Sequence, residues 1–505
     1  MNPVIAAPKF RVEVDGLPLS NDALYTLQTV RIQQVLSSPT LCELTFNSPL
    51  HLQSLDGLNV GAHVLVEVGI SADTVFEGDV TALEYDYQPS QGETLRVRAY
   101  DSIHKLRKRQ TVRMHVQVTP MDLVKELVAP LGIAVVGAET GPSLRNVMQH
   151  EQSDLRLLQE ICFRHGLYFF LVGDALQLMT LSGRSSNLTL ELGANLIEAN
   201  VSVNLDPTCG RIVASGWDAQ RIEVHNAKVA ESRVGREVDM SALVSGDKPE
   251  RTLVDESAQD DQQAESIAQA VLDFRSAREV TLTGIAEGDS RLCPGKAVEV
   301  SGVASRAEGT YVLTSVTHMI DGQRGYVAEI STDPPEPPRP TRSAGSLATW
   351  GKVTQVDDPE KLGRVKVSLP TFNDVETDWL AVLSTGAGTG KGVIALPAPG
   401  DHVLVLFLNR TDVQAVVLGG LYGAGGPPDS GVEDGNVRRY SVLTAGGQKL
   451  VFDDVGCKLR VENKDGSFVE LAPEKLMIHS HTDFEIDAPG RAVVVRGKTI
   501  DFVQA

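Results

Sequence analysis

The sequence predicts a mainly β protein with a few helices, built from several barrel-like or sheet-like units and finished by a repetitive stack of short strands. Three observations lead there. Long stretches alternate polar and apolar residues with period two, and 45 glycines and 25 prolines among 505 residues supply frequent turns. Only three segments carry a helical apolar stripe. The last part of the chain repeats pairs of apolar residues at i and i+2, the spacing that places both on one face of a strand.

Residues 8–100 set the pattern with KFRVEVDG, CELTFNS, HVLVEVG, VFEGDVTALEYDY and TLRVRAYD, each read as a strand. TPMDLVKELVAPLG follows as a helix with Thr119 as its cap. QSDLRLLQEICFRHG is a second helix, with Ser153 as cap, Leu155, Leu158 and Cys162 on one stripe, and Gly166 as its stop. Strands resume at LYFFLVGDALQLM. A third helix is expected from Asp260 to Arg278, before EVTLTGIAEG, KAVEVSG, TYVLTSVTHMI and GYVAEIST. Proline then crowds residues 331–348, which read as a linker.

From 349 to 423, five strands with glycine or proline at the turns fit a small closed barrel of OB type: WGKVTQVDD, GRVKVSLP, DWLAVLST, GVIALPAPGDHVLVLFL and QAVVLGGLYG. A glycine/proline hinge at 424–438 leads to residues 439–505. There the apolar pairs are Leu450/Phe452, Leu459/Val461, Val469/Leu471, Leu476/Ile478, Phe484/Ile486, Ala492/Val494 and Ile500/Phe502. Their first members are spaced by nine, ten, seven, eight, eight and eight residues. Asp465-Gly466, Pro473-Glu474 and Pro489-Gly490 mark the corners. Such units cannot bury their own apolar faces. A single-chain solenoid needs roughly 20 residues per coil, whereas three identical chains contributing about eight residues each per layer make seven layers from the same residues. A trimeric, intertwined triple-stranded β-helix is therefore expected.

Composition excludes several function classes. At 42% hydrophobic and 22% charged, the chain is ordinary for a soluble protein. A formal charge of −20 argues against nucleic-acid binding, and the basic run HKLRKRQTVR at 104–113 reads as a solvated face. MNPVIAAPKFRVEVDG lacks the apolar run of a secretory signal. The most apolar stretch is interrupted by Pro397, Pro399, Gly400 and Asp401, well short of the roughly 20 residues of a spanning helix. Cys42, Cys162, Cys209, Cys293 and Cys457 are too far apart in sequence for a zinc knuckle or redox pair and are expected as reduced core thiols.

Candidate sites meet the same scrutiny. GAGTGKG at 386–392 suggests a phosphate loop, but Thr385 and Gly392 stand where the motif needs glycine and Ser/Thr, so a barrel loop is expected. His479 and His481 share a strand face and suggest a metal, yet with Ile478 inward they point outward, where three chains diverge. Asp453 and Asp454 are adjacent on a strand and so face opposite ways, which disqualifies them as a paired acid and base. No nucleophile–base motif is present. No catalytic, cofactor-binding or metal residue is assigned, and no cofactor is expected.

The order of these pieces resembles the spike proteins of contractile injection systems: the valine-glycine repeat spikes of type VI secretion and phage baseplate hub-and-spike proteins. In layout it is nearest the spikes of extracellular phage-tail-like particles. The resemblance rests on Gln152-Ser153-Asp154 with Gly166, Tyr168 and Phe169. It continues with Tyr311, His318 and Tyr326, and with Gly363, Arg364, Val365, Trp379, Gly390, Gly392, Pro397, Gly400, Asp401, Gly419 and Tyr422. SVLTAGGQKLVFDD matches the start of the spike. His402-Val403 departs from the acidic residue and valine frequent after that family's PxxGD turn. The short hinge implies that the lysozyme domain some phage spikes insert is absent, and no toxin or adhesin domain is expected after Ala505.

The resemblance implies a phage-hub-like domain at 1–330 made of barrel subdomains with helical insertions, the OB domain, and the trimeric spike. It implies a non-enzymatic homotrimeric central spike linking baseplate and inner tube to a membrane-piercing tip. The alternative is a cell-wall or glycan-degrading enzyme or adhesin on a trimeric tail stalk. Implied partners are tube and baseplate proteins at the hub, a conical tip protein of the PAAR type at the C-terminal end, effector cargo, and transiently a target membrane. Nucleic acid is not among them. The implied location is assembly in the cytoplasm, then export as part of a particle.

Overall fold

The computed structural model describes residues 9–47, 55, 57–88, 92–218, 223–238, 249–338, 347–408 and 414–503. Two compact units divide the chain, residues 1–420 and 421–505.

The first unit is organised by an eleven-stranded sheet. Its continuity depends on the strand Leu27–Val35, which pairs with Leu41–Asn47 on one side and with Ser315–Asp321 on the other. N- and C-terminal portions of the hub are thereby zipped into one surface. One end of the sheet curls around a core of residues such as Val30, Ile32, Leu44, Phe46, Val64 and Val97, and receives Ile320 and Tyr326 from the late strands. The other end, with the small sheet of Arg184–Glu191, Lys296–Ser301 and Gly309–Val312, encloses Leu188, Leu282, Val298, Tyr311 and Ile330. The strand Leu27–Val35 is absent from the sequence reading because its inward row runs Val30, Ile32, Gln34. The third member is polar, yet buried, with its amide donating to the Val75 carbonyl at 3.3 Å.

Among the described residues, four α-helices are inserted. α1 (Asn21–Thr26) is a single short turn that periodicity does not reveal. α2 (Pro120–Val128) starts at Thr119, whose hydroxyl accepts from the Asp122 N–H while the Asp122 carboxylate accepts from the Thr119 N–H. α3 (Asp154–Arg164) is capped by Ser153 and ends before Gly166 at φ +68°. Leu155, Leu158 and Cys162 are buried with α2 in a core that includes Leu123, Leu127 and Phe169. α4 (Asp261–Ala277), capped by Asp260, lies on the sheet formed by Arg211–Asp218, Glu223–Val229 and Glu250–Ser257.

The OB domain is a six-stranded sheet running Leu347–Gln355, Lys366–Leu369, Val375–Glu376, Ala381–Val382, His402–Phe407 and Ala415–Leu421 in sequence. A bridge between Val365 and Leu380 closes it. Its core of Val353, Val365, Val367, Leu380, Val403, Val405 and Val417 also takes in Met148 from the hub strand Leu144–Gln149. Asn146 of that strand donates to Asp378 at 3.3 Å, and His150 meets Phe372 edge-on. The barrel is thus seated on a hub ribbon. Residues 339–346, the middle of the expected linker, lie outside the described residues.

In the second unit the expected hinge holds a tiny hairpin, Val432–Glu433 with Asn436–Val437, and Asp429 is clamped by two bonds from Arg439 at 3.0 and 3.1 Å. Five strands follow as an antiparallel meander: Arg439–Leu443, Lys449–Asp453, Lys458–Glu462, Phe468–Leu471 and Leu476–His479. The pairs from Leu450 to Ile478 lie in these strands. Phe484/Ile486, Ala492/Val494 and Ile500/Phe502 do not; no strand is assigned after His479 among the described residues. The reason is physical: an extended segment becomes a strand only with a hydrogen-bonded neighbour.

Cysteine burial needs correction as well. Cys42, Cys162 and Cys209 are buried, but Cys293 is half-buried and Cys457 is exposed. Cys457 sits at φ +47° in the turn between two meander strands, so the geometry of the turn, rather than a core, surrounds it.

Candidate functional site

Register turns the meander into a two-faced sheet. One cross-strand row runs Tyr440, Phe452, Leu459, Leu471, Leu476, and the next runs Val442, Leu450, Val461, Val469, Ile478. Directly opposed residues share a face, so all ten side chains form one apolar surface. In the isolated chain this surface stays open: Leu476 is 62% exposed and Ile478 54%. Phe484, Ile486, Val494, Ile500 and Phe502 downstream are exposed too. A contiguous apolar surface of this extent, left open in the single chain, marks an interaction site.

The opposite face is the more occupied one. Arg460 reaches Glu462 and Glu470, each at 3.2 Å, and its guanidinium lies 3.7 Å from the Phe468 ring centroid. His479 also stacks on Phe468, with centroids 5.1 Å apart. Here the sheet satisfies itself with its own charges, and the apolar face is left to something else.

The candidate chemical groups take structural positions. His479 lies on the face opposite Ile478, and its Nε2 is 3.4 Å from that of His481. No cluster of three or more metal-ligating groups occurs among the described residues. Asp453 accepts from the Val455 and Gly456 N–H groups, both at 3.0 Å, and so shapes a turn. The 386–392 loop folds back on itself through Gly388 and Lys391, with no helix after it to receive a phosphate.

Two sequence features explain each other. Asp154 of the acidic element is fully buried and meets Arg109 at 2.8 Å, Arg113 at 3.2 Å and Gln149 at 2.7 Å. The basic run 104–113 is therefore in large part internal wiring. Lys105 pairs with Asp79 at 2.8 Å, and Arg107 lies over Tyr100. Among the late strands, Tyr326 donates to His318 Nδ1 at 2.9 Å, while His318 Nε2 donates to the Leu292 carbonyl at 3.1 Å. Burial pushes His318 down to about 4, so the ring is neutral.

In the OB domain, Arg364 grips Asp358 at 2.6 and 3.0 Å. That ion pair and three backbone N–H donors hold the Asp358 carboxyl down to about 2. Asp358 was missed in sequence. The only signal was a second acidic residue at the start of the turn that leads to Arg364.

Comparison with known proteins agrees with this arrangement. Residues 349–422 match the type VI secretion system/phage-baseplate injector OB domain. Residues 47–322, more than half of the chain, match the Alg8 N-terminal domain. No curated protein sequence matches. The fold is similar to that of the Escherichia coli c3393 protein, described as a type VI secretion component resembling the T4 tail proteins gp27 and gp5: 15% identity over 81% of this chain and 99% of that one, TM-score 0.54. It is similar to a chain of the lidded Francisella PdpA–VgrG complex, at 7% identity over 95% of this chain and 81% of that one, TM-score 0.57. The 43 kDa tail protein of prophage MuSo2 from Shewanella oneidensis shares 14% identity over 64% of this chain and 98% of its own length, TM-score 0.50. The chain belongs to the Alg8 N-terminal domain family, carries an injector OB domain seated on that region, and has a fold similar to those of type VI secretion and phage-tail proteins.

Proposed function

We propose that this chain is the homotrimeric central spike of its injection system, linking baseplate and inner tube to a membrane-piercing tip, with no catalytic activity of its own. One observation carries the proposal. The meander presents two five-residue apolar rows to solvent, and the strand-like pairs beyond it have no strand partner among the described residues. Two further copies supply both missing elements, a cover for the rows and neighbours for residues 480–503. The division that goes with this reading is hub 1–330, linker 331–348, OB domain 349–423, hinge 424–438 and spike 439–505. Tube and baseplate proteins meet the hub, and a conical tip protein of the PAAR type meets the far end of the spike. Cargo is a natural partner by analogy with the Francisella VgrG, which was determined in complex with PdpA. In this reading the particle is assembled in the cytoplasm and delivers the spike outside it.

The test uses two neighbours of opposite orientation. In a strand, Ile486 continues the inward row and Glu485 faces out. Ile486→Asp should destroy the trimer while the hub stays soluble, because three like charges would be buried together. Glu485→Lys should leave the sedimentation coefficient unchanged. Equal behaviour of the two variants would refute this face assignment.

A further inference from the structure

The outer face of the eleven-stranded hub sheet treats its charges in two ways. On one half, Arg31 and Arg98 each reach Glu43 at 3.2 Å, and Arg96 reaches Glu84 at 3.1 Å. Farther along the same face, register aligns Glu198, Ile285, Glu329, Thr317 and Gln33 as one row across five successive strands. Here Glu198 and Glu329 have no cation partner among the described residues. The next row, Asn200, Thr283, Ser331 and Ser315, is polar throughout. Apart from Gln33, the residues of both rows line an open groove of about 430 Å³.

Thr317 points to an occupant. Only 6% of the residue is exposed, yet it lines the groove and its hydroxyl has no hydrogen-bond partner among the described residues. A hydroxyl in so buried a side chain ordinarily has one. The two carboxylates indicate what kind of occupant fits. Glu198 and Glu329 flank Ile285 two strand spacings apart, roughly 10 Å at the backbone. Their side chains can close on one cation from both flanks while its hydrocarbon stem rests on the isoleucine. No aromatic ring lines the groove, so it offers no stacking platform for a sugar or a base. A volume in this range takes several residues of a chain rather than one side chain alone. We propose that this groove docks a basic segment of a partner protein, with an arginine or lysine side chain held over Ile285 between Glu198 and Glu329. The site needs only the hub and does not depend on the trimeric reading.

Fluorescence anisotropy of the full-length protein tests it with a labelled peptide of alternating arginine and valine, beside a counterpart carrying glutamine for arginine. Only the arginine peptide should bind, and salt should weaken it. Glu198→Gln/Glu329→Gln should lower its affinity at least about tenfold. Thr317→Val keeps the shape of the strand and should lower affinity too. Glu84→Gln/Glu93→Gln removes the same charge elsewhere and should leave affinity unchanged, with melting temperature recorded for every variant. Equal loss in the two double variants would overturn the site, since a chain of net charge −20 would then attract the peptide without a groove. Undiminished binding by both Glu198→Gln/Glu329→Gln and Thr317→Val, or equal binding of the glutamine peptide, would do the same. Displacement by spermidine at equal affinity would mark a polyamine site and likewise overturn the docking role.

Discussion

His318 and His165 are both buried and neutral, the second pushed down to about 3 by burial and by Arg164 beside it. Their folded pKa values lie below the ordinary 6.5, so the unfolded chain takes up protons that the folded chain refuses. Their effect on stability is complete above about 6.5 and is lost as pH falls towards 4 and 3, at about 1.4 kcal/mol per pH unit for each. Asp101, raised to about 6 by burial, acts in the opposite sense between 6 and its ordinary value, which leaves one histidine's slope there. Melting temperature should therefore fall from pH 7 to 4.5. His318→Phe should flatten that limb by about one proton, even though it also lowers the plateau. An unchanged slope would show that His318 is not neutral in the fold. Gly288 gives an independent check of the same site. A Cβ there would fall 2.1 Å from the Tyr326 ring, so Gly288→Ala should destabilise the protein by about 1–3 kcal/mol, read as a lower melting temperature.

Among the elements, those with a strong local signal were legible and those defined by partners were not. Thr119 and Ser153 announce α2 and α3, because a cap followed by an apolar stripe is written in neighbouring residues; α4 was legible from its stripe, with Asp260 proving to be its cap and not its first residue. Four OB strands read for the same reason, with glycine or proline at nearly every corner, but the two-residue Val375–Glu376 was not legible and the expected strand from Gly392 begins only at His402. Leu27–Val35 did not, since its role is to join two distant parts of the chain and its buried Gln34 breaks the apolar alternation. The apolar rows of the tail were visible as spacing, but their antiparallel register was not, because register is decided by turns and partners together. The role of Asp154 was equally hidden, since its arginine partners lie some forty residues upstream. Asp154→Ala should strand Arg109 and Arg113 and loosen the start of α3, costing about 3 kcal/mol or more. Chemical denaturation of the hub measures that cost; a change below about 1 kcal/mol would contradict the anchoring role.

At the scale of the whole molecule, the first unit buries its apolar surface within one chain, in four substantial cores that include one shared by hub and OB domain. The second unit does the reverse. Its charged face is paired internally and its apolar face is open, a distribution that is unfavourable for a lone chain in water and favourable for a stack of copies. Oligomeric state is therefore the property on which the proposed spike depends. Native mass determination of the full-length chain at low micromolar concentration measures it directly. A homotrimer near three times 54.3 kDa is the predicted result. A stable, soluble monomer would leave the apolar rows uncovered and contradict the proposed spike.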